Sequence, residues 1–209
     1  MPSEPKIKLI NSAIEVFANN GYRGARVSDI VAGADANIAA VNYHFGSKEN
    51  LYMQAIRKAH EISEMTYPTR GNLPQDAPAR EKLSSYVRSC LKRSLDKGPA
   101  GQFGRIFAKT MYSPDSPVKR VLDEAHDLEL DYIQEMLIEF YGTDAPAVIQ
   151  LAKINVVCLS SVLSNYPITS SKIFSSDPSP KEIDSMIENQ VNVTLAALDS
   201  LTPENAFTR

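Results

Sequence analysis

The sequence predicts an all-α fold, with an N-terminal three-helix helix-turn-helix domain followed by a C-terminal six-helix bundle, about nine helices in all. Three observations predict it. Apolar residues recur at spacings of three and four along most of the chain, the period of one helix face. Glycine, proline and serine clusters interrupt that pattern at intervals suited to helix ends. No stretch alternates apolar and polar residues as a half-buried strand would.

Ile7, Ile10, Ile14 and Phe17 mark one face of a first helix over about 5–20. Pro5 suits its first turn, and Gly21 stands where a helix-ending glycine belongs. Two short units follow, Val27 to Gly33 and Ile38 to His44, joined by Ala34-Asp35-Ala36. Asn37 is placed to cap the second. Ala32, Ala39 and Val41 are candidates for the packing between them. Gly46 ends this unit and Ser47 caps a helix from Lys48 to about Met65.

Residues 67–79, with three prolines and one glycine, form a loop. Leu83, Val87, Cys90, Leu91 and Leu95 define the next helix, which stops at Gly98. Phe103 to Tyr112 is shorter and closes at Ser113-Pro114-Asp115-Ser116-Pro117. Val118 to Tyr141 is the longest periodic run. Ala147 to about Asn165 is apolar around most of its circumference, which implies burial on several sides. Ile183, Ile187, Val191, Leu195 and Leu198 carry the last helix. The expected division is 1–47 and 48–209.

The charge is −3 and the pI about 5.7, so a nucleic-acid site has to be a local patch. Residues 1–52 hold five Lys/Arg and five acids, leaving 17 and 20 in the remainder. Cys90 and Cys158 lie in apolar helical patterns and suggest buried thiols in a reducing compartment. No apolar run approaches the roughly 18 residues of a membrane span. These features predict a cytoplasmic protein with no membrane partner. His44, His60 and His126 are scattered, without metal-ligand spacing, and no nucleophile, phosphate-loop or dinucleotide fingerprint appears. No metal and no cofactor is implied, and no enzymatic activity.

Two short helices joined by a tight turn form the helix-turn-helix pattern, in which the second helix enters the major groove. Asn42, Tyr43 and His44 supply its polar outer face. Asn pairs bidentately with adenine, while Tyr, His and a lysine reach phosphates. Lys48, after Ser47 at a helix N-terminus, occupies a natural phosphate site. Residues 14–52, IEVFANNGYRGARVSDIVAGADANIAAVNYHFGSKENLY, resemble the DNA-binding domain of the TetR family. The matching pieces are Phe17 to Gly24, Asp29 to Ala34 and, most diagnostically, Val41 to Tyr52. The stretch from Asn37 to Tyr52 is similar to the CecR-like branch. Two positions depart from the pattern. Asp35 stands where the family favours Gly, and Asp tolerates a left-handed conformation better than most residues. Arg26 replaces the usual Thr or Ser cap, leaving weaker capping or a phosphate contact as alternatives.

The resemblance implies a homodimeric regulator, most simply a repressor of a pseudo-palindromic double-stranded DNA operator, released by a small-molecule effector in the bundle. Activation or dual control is the near alternative. A helical enzyme or adaptor protein is the remote one, to be recognised by a catalytic cleft or an unused apolar groove. The implied DNA-binding residues are Arg26, Ser28, Asn37, Ile38, Ala40, Asn42, Tyr43, His44 and Lys48. An effector pocket, for an apolar or amphipathic compound, would draw on Tyr86, Phe103, Ile106, Phe107, Met111, Tyr132, Met136, Ile154 and Cys158; ordinary core is the alternative for each. The dimer interface would use Val156, Leu159, Val162, Leu163, Ile183, Met186, Ile187, Val191 and Leu198, with intramolecular packing as the alternative.

Overall fold

The computed structural model describes residues 3–111, 119–161 and 178–201. Among these residues there are nine α-helices and no strand. They are α1 (Glu4–Gly24), α2 (Val27–Gly33), α3 (Ile38–Phe45), α4 (Lys48–Thr66), α5 (Ala79–Leu95), α6 (Gln102–Met111), α7 (Lys119–Tyr141), α8 (Pro146–Ser161) and α9 (Pro180–Asp199), with a 3-10 turn at Pro99–Gly101 before α6.

The chain divides into two compact units, drawn differently from the boundary expected after Ser47. The first holds residues 1–66 and 96–125; the second holds 67–95 and 126–209. In the first unit α4 and α6 pack with the helix-turn-helix. Leu51, Tyr52, Ala55, Ala59 and Ile106 share one apolar cluster with Leu9, Phe17 and Ile30. A three-helix unit of this length buries too little surface to stand alone, and α4 and α6 complete its core.

In the first unit, α1 presents Leu9, Ala13 and Phe17 inward at spacings of four, each fully buried. Burying such a side chain contributes about 1.5–3 kcal/mol where it is large. Gly21, at φ 67°, interrupts α1 near the expected end, and one further turn follows it. Phe17 and Tyr52 meet edge to face at 4.5 Å, and Tyr22 lies 5.0 Å from Tyr52. The Ser47 hydroxyl accepts from the Asn50 amide at 3.1 Å and so caps α4.

In the second unit, Leu83, Val87 and Leu91 of α5 join Ile133, Met136 and Leu137 of α7. Val148, Ile149, Ala152 and Val156 of α8 and Ile187, Val191, Leu195 and Leu198 of α9 complete that core. Ser179 and Glu182 form a reciprocal capping box at the start of α9. Arg88 grips Glu188 through two hydrogen bonds, and Arg80 does the same to Asp199. These forks fix the register of α9 on α5, although exposure keeps each weak.

Candidate nucleic-acid interface

The α2–turn–α3 hairpin is braced from behind by a polar contact. The Ser12 hydroxyl, buried on α1, donates to the Ile30 carbonyl at 2.8 Å. Gly33 makes room for it: a Cβ there would lie 2.5 Å from Ser12 Oγ. Sequence reading passed over Ser12; its only signal was a lone hydroxyl within an apolar stripe. Asp35 adopts φ 50°, the left-handed turn expected of it. Asn37 Oδ1 accepts from the Ala40 amide at 3.0 Å and caps α3. Val41 is buried against the first core, but Ala32 and Ala39 face solvent. Ile30, Val31 and Ala34 take their expected place, because the short α2 turns its C-terminal alanine outward.

With α3 capped and braced, its outer face is free. Tyr43 is 85% exposed and Ile38 56%. Asn42 lies exposed between them, and Ala40 is half-buried. The Tyr43 and His44 rings meet at 4.9 Å, which restricts both. Ser28 is exposed and donates to Asp29 at 3.3 Å. Arg26 is the N-cap of α2 but makes no side-chain cap, leaving an exposed guanidinium at the helix N-terminus.

Lys48 is placed otherwise. Its ammonium donates to the Ala25 carbonyl at 2.6 Å and lies 4.7 Å above the Tyr22 ring. Burial holds its pKa below the ordinary lysine value. The side chain ties the start of α4 to the α1–α2 junction, so its charge serves the hairpin's position, in contrast to the free phosphate contact expected.

The expected effector residues do not form one group. Phe103, Ile106 and Phe107 belong to the first unit, where Ile106 is fully buried core. Tyr86, Tyr132 and Met136 belong to the second, with the two tyrosine rings 6.4 Å apart. Ile154 and Cys158 are exposed on α8, the opposite of an interior lining. Met111 ends α6, and its side chain is outside the described residues. Of the expected dimer residues, Val156, Ile187, Val191 and Leu198 are at most 2% exposed within one protomer. Their apolarity is explained by the chain's own core, which corrects the interface reading for these four. Leu159, Ile183 and Met186 are half-buried; Val162 and Leu163 lie outside the described residues. Val193 of α9, passed over by the sequence reading, is 45% exposed.

Residues 9–55 match the family model described as bacterial regulatory proteins, tetR family. The chain is 24% identical over 139 residues to the Probable HTH-type transcriptional regulator YttP of Bacillus subtilis, spanning 66% of this chain and 65% of that protein. It is 36% identical over 52 residues to the Biofilm operon icaADBC HTH-type negative transcriptional regulator IcaR of Staphylococcus aureus, covering 25% of this chain and 28% of IcaR. Both matches therefore span less than two thirds of the relative. Among solved structures, SCO4454, a TetR-family transcriptional regulator from Streptomyces coelicolor, superposes with TM-score 0.68 at 20% identity, covering 96% of this chain and 92% of that one. The fatty acid degradation regulator FadR from Bacillus halodurans gives TM-score 0.66 at 17% identity over 95% and 98%. These structures share the fold.

Proposed function

We propose that the chain is a TetR-family transcriptional regulator, a sequence-specific DNA-binding repressor whose operator affinity a small molecule controls. The observation that carries this reading is the outer face of α3. Ile38, Asn42 and Tyr43 are held out to solvent on a helix that is capped and joined through a tight turn to a braced α2. Nothing in the core needs those side chains there. Asn42 is the candidate for base-edge readout, with Tyr43, His44 and Arg26 as candidates for phosphate contacts. Ser28, Asn37, Ile38 and Ala40 complete the proposed surface. Membership of the CecR-like branch rests on the string from Asn37 to Tyr52 alone.

A twofold dimer would set two α3 helices about 34–36 Å apart on a pseudo-palindrome. The proposed contact face combines exposed Ile154 and Cys158 of α8 with Val193 of α9, flanked by Leu159, Ile183 and Met186. Effector binding in the bundle would act through α4, whose N-terminus holds the hairpin by Lys48. A ligand changes operator affinity only by its differential affinity for the two states. No helix among the described residues is long and apolar enough to cross a membrane.

The test is selection of bound fragments from genomic DNA, then titration of the best fragment at two salt concentrations. A pseudo-palindromic site bound by two protomers, and weakened by Tyr43→Ala, is the expected result. Binding that is weak, sequence-independent and unchanged by Tyr43→Ala would overturn the proposal.

A further inference from the structure

The second unit contains a cleft whose chemistry the DNA reading does not use. It lies between the segment after α4 and the faces of α5 and α7, with a volume of about 480 Å³. Arg70, Leu73, Pro74 and Gln75 form one wall; Lys82 of α5 and Tyr132, Glu135, Met136 and Glu139 of α7 form the rest. That volume falls in the range of small-molecule sites.

The loop wall is held in place. Arg93 of α5 donates from Nε to the Tyr67 carbonyl at 2.8 Å and from its terminal nitrogen to the Thr69 hydroxyl at 2.8 Å. Ser89 donates to the Pro68 carbonyl at 2.8 Å. Gly71 then runs against α5 so closely that a Cβ would lie 2.1 Å from Ser85 Oγ, at a φ of 62° that favours glycine. Arg70 is therefore delivered to the cleft by an anchored backbone.

Its charges are arranged unevenly. Arg70 lies 4.7 Å over the face of Tyr132, which leaves the guanidinium edge and its donors directed elsewhere. Lys82 is neutralised by Glu139 at 2.9 Å. Among the described residues, Glu135, one helical turn before Glu139, has no cation partner and Arg70 has no carboxylate partner. Burial is the main influence on the Tyr132 phenol and raises its pKa; Arg70 and Lys82 oppose that rise while Glu135 and Glu139 add to it, so all four charges surround this hydroxyl. Met136, 2% exposed, gives the cleft an apolar floor, and Leu73 and Pro74 give it an apolar side.

We propose that this cleft binds a small amphoteric molecule, its carboxylate on the Arg70 guanidinium, its ammonium group at Glu135 and its apolar body against Leu73, Pro74 and Met136. A simple anion would meet Glu135, and a simple cation would meet Arg70. A zwitterion satisfies both groups and leaves no like charge facing it. The concave, anchored wall favours a small molecule over a protein surface. The inference goes beyond the DNA reading and is tested without DNA, so either can fail alone.

The experiment titrates the full chain with three probes that share a body and differ in charge: L-phenylalanine, 3-phenylpropanoate and 2-phenylethylamine. Methyl NMR shifts of Leu73 and Met136 report occupancy. L-phenylalanine binds about tenfold more tightly than either single-charge probe, one charged contact being of that order. Arg70→Ala removes its advantage over 2-phenylethylamine, and Glu135→Gln its advantage over 3-phenylpropanoate. Both residues are exposed, and unchanged shifts elsewhere establish that the variants are folded. Equal affinities for the three probes, shifts confined to residues outside the cleft, or no binding at millimolar concentration would each overturn the proposal.

Discussion

The Tyr52 hydroxyl lies 2.6 Å from Thr110 Oγ1 in the core of the first unit, joining α4 to α6. Thr110 itself donates to the Ile106 carbonyl at 2.8 Å, so Tyr52 is the donor of the pair. The two ends of this bond are not equivalent, and the difference is measurable. Tyr52→Phe leaves Thr110 satisfied by Ile106 and costs about 1 kcal/mol, the net value of one hydrogen bond. Thr110→Val removes the 2.6 Å acceptor from a buried phenol and costs about 1–3 kcal/mol. Urea unfolding checks the order. Equal losses would mean that the phenol finds another acceptor.

Tyr43 and Lys48 separate DNA contact from hairpin support. Tyr43→Ala removes an 85% exposed ring and leaves stability within about 0.5 kcal/mol, while operator affinity falls. Lys48→Met deletes the bond to Ala25 and the contact over Tyr22, so stability and operator affinity fall together. Arg26→Ala weakens binding without affecting stability and flattens the salt dependence by about 0.9 in slope, as expected for one lost phosphate contact. Thermal melts paired with titrations at several salt concentrations distinguish the three outcomes.

Gly33→Ala is expected to destabilise by about 1–3 kcal/mol, because the new methyl displaces the Ser12 hydroxyl from Ile30. Ser12→Ala in the same background recovers part of the loss by removing the crowded oxygen. The signature is non-additivity in a double-mutant cycle. Additive losses would show that the steric contact is not what fixes the residue.

Glu129 gives the second unit an acid-sensitive element. Burial alone would raise its pKa, but the Tyr86 hydrogen bond and the nearby His126, 3.7 Å away, and Arg93 outweigh burial and hold it below the ordinary glutamate value. The Tyr86 hydroxyl donates to it at 2.8 Å. A depressed folded pKa contributes stability that is fully present above the unfolded value, about 4.5, and is lost as pH falls through the folded value. Tyr86→Phe therefore shrinks the loss of stability below about pH 4.5, as read by unfolding curves in that range. An unchanged acid slope would place the sensitivity elsewhere.

The helix order was legible because each element carries its own stop and start. Asn37 and Ser47 cap where their side chains predict, and Asp35 takes the left-handed turn that its position required. The site was less legible, for a physical reason: periodicity shows which residues are apolar, without showing which neighbour buries them. Val156, Ile187, Val191 and Leu198 read equally well as interface or core, and tertiary packing chose core. Lys48 fitted a phosphate site by its place at a helix N-terminus, while its reach to Ala25 depends on a fold contact 23 residues away. The Arg70–Tyr132 cleft joins residues too distant in sequence for any local pattern to pair them.

The dimer proposal now rests on the side chains that the protomer leaves uncovered. Ile154 is 57% exposed and Val193 45%, so a charge at either position costs the folded protomer little. In an interface the same charge would be desolvated without a partner, which is strongly unfavourable. Ile154→Glu and Val193→Glu are therefore expected to shift sedimentation from dimer toward monomer with the melting temperature of the monomer unchanged. Operator affinity should fall in step, because a monomer reaches a single half-site. A variant that stayed dimeric would move the interface off the α8–α9 face. A variant that became monomeric with undiminished operator affinity would show that twofold symmetry is not used in binding.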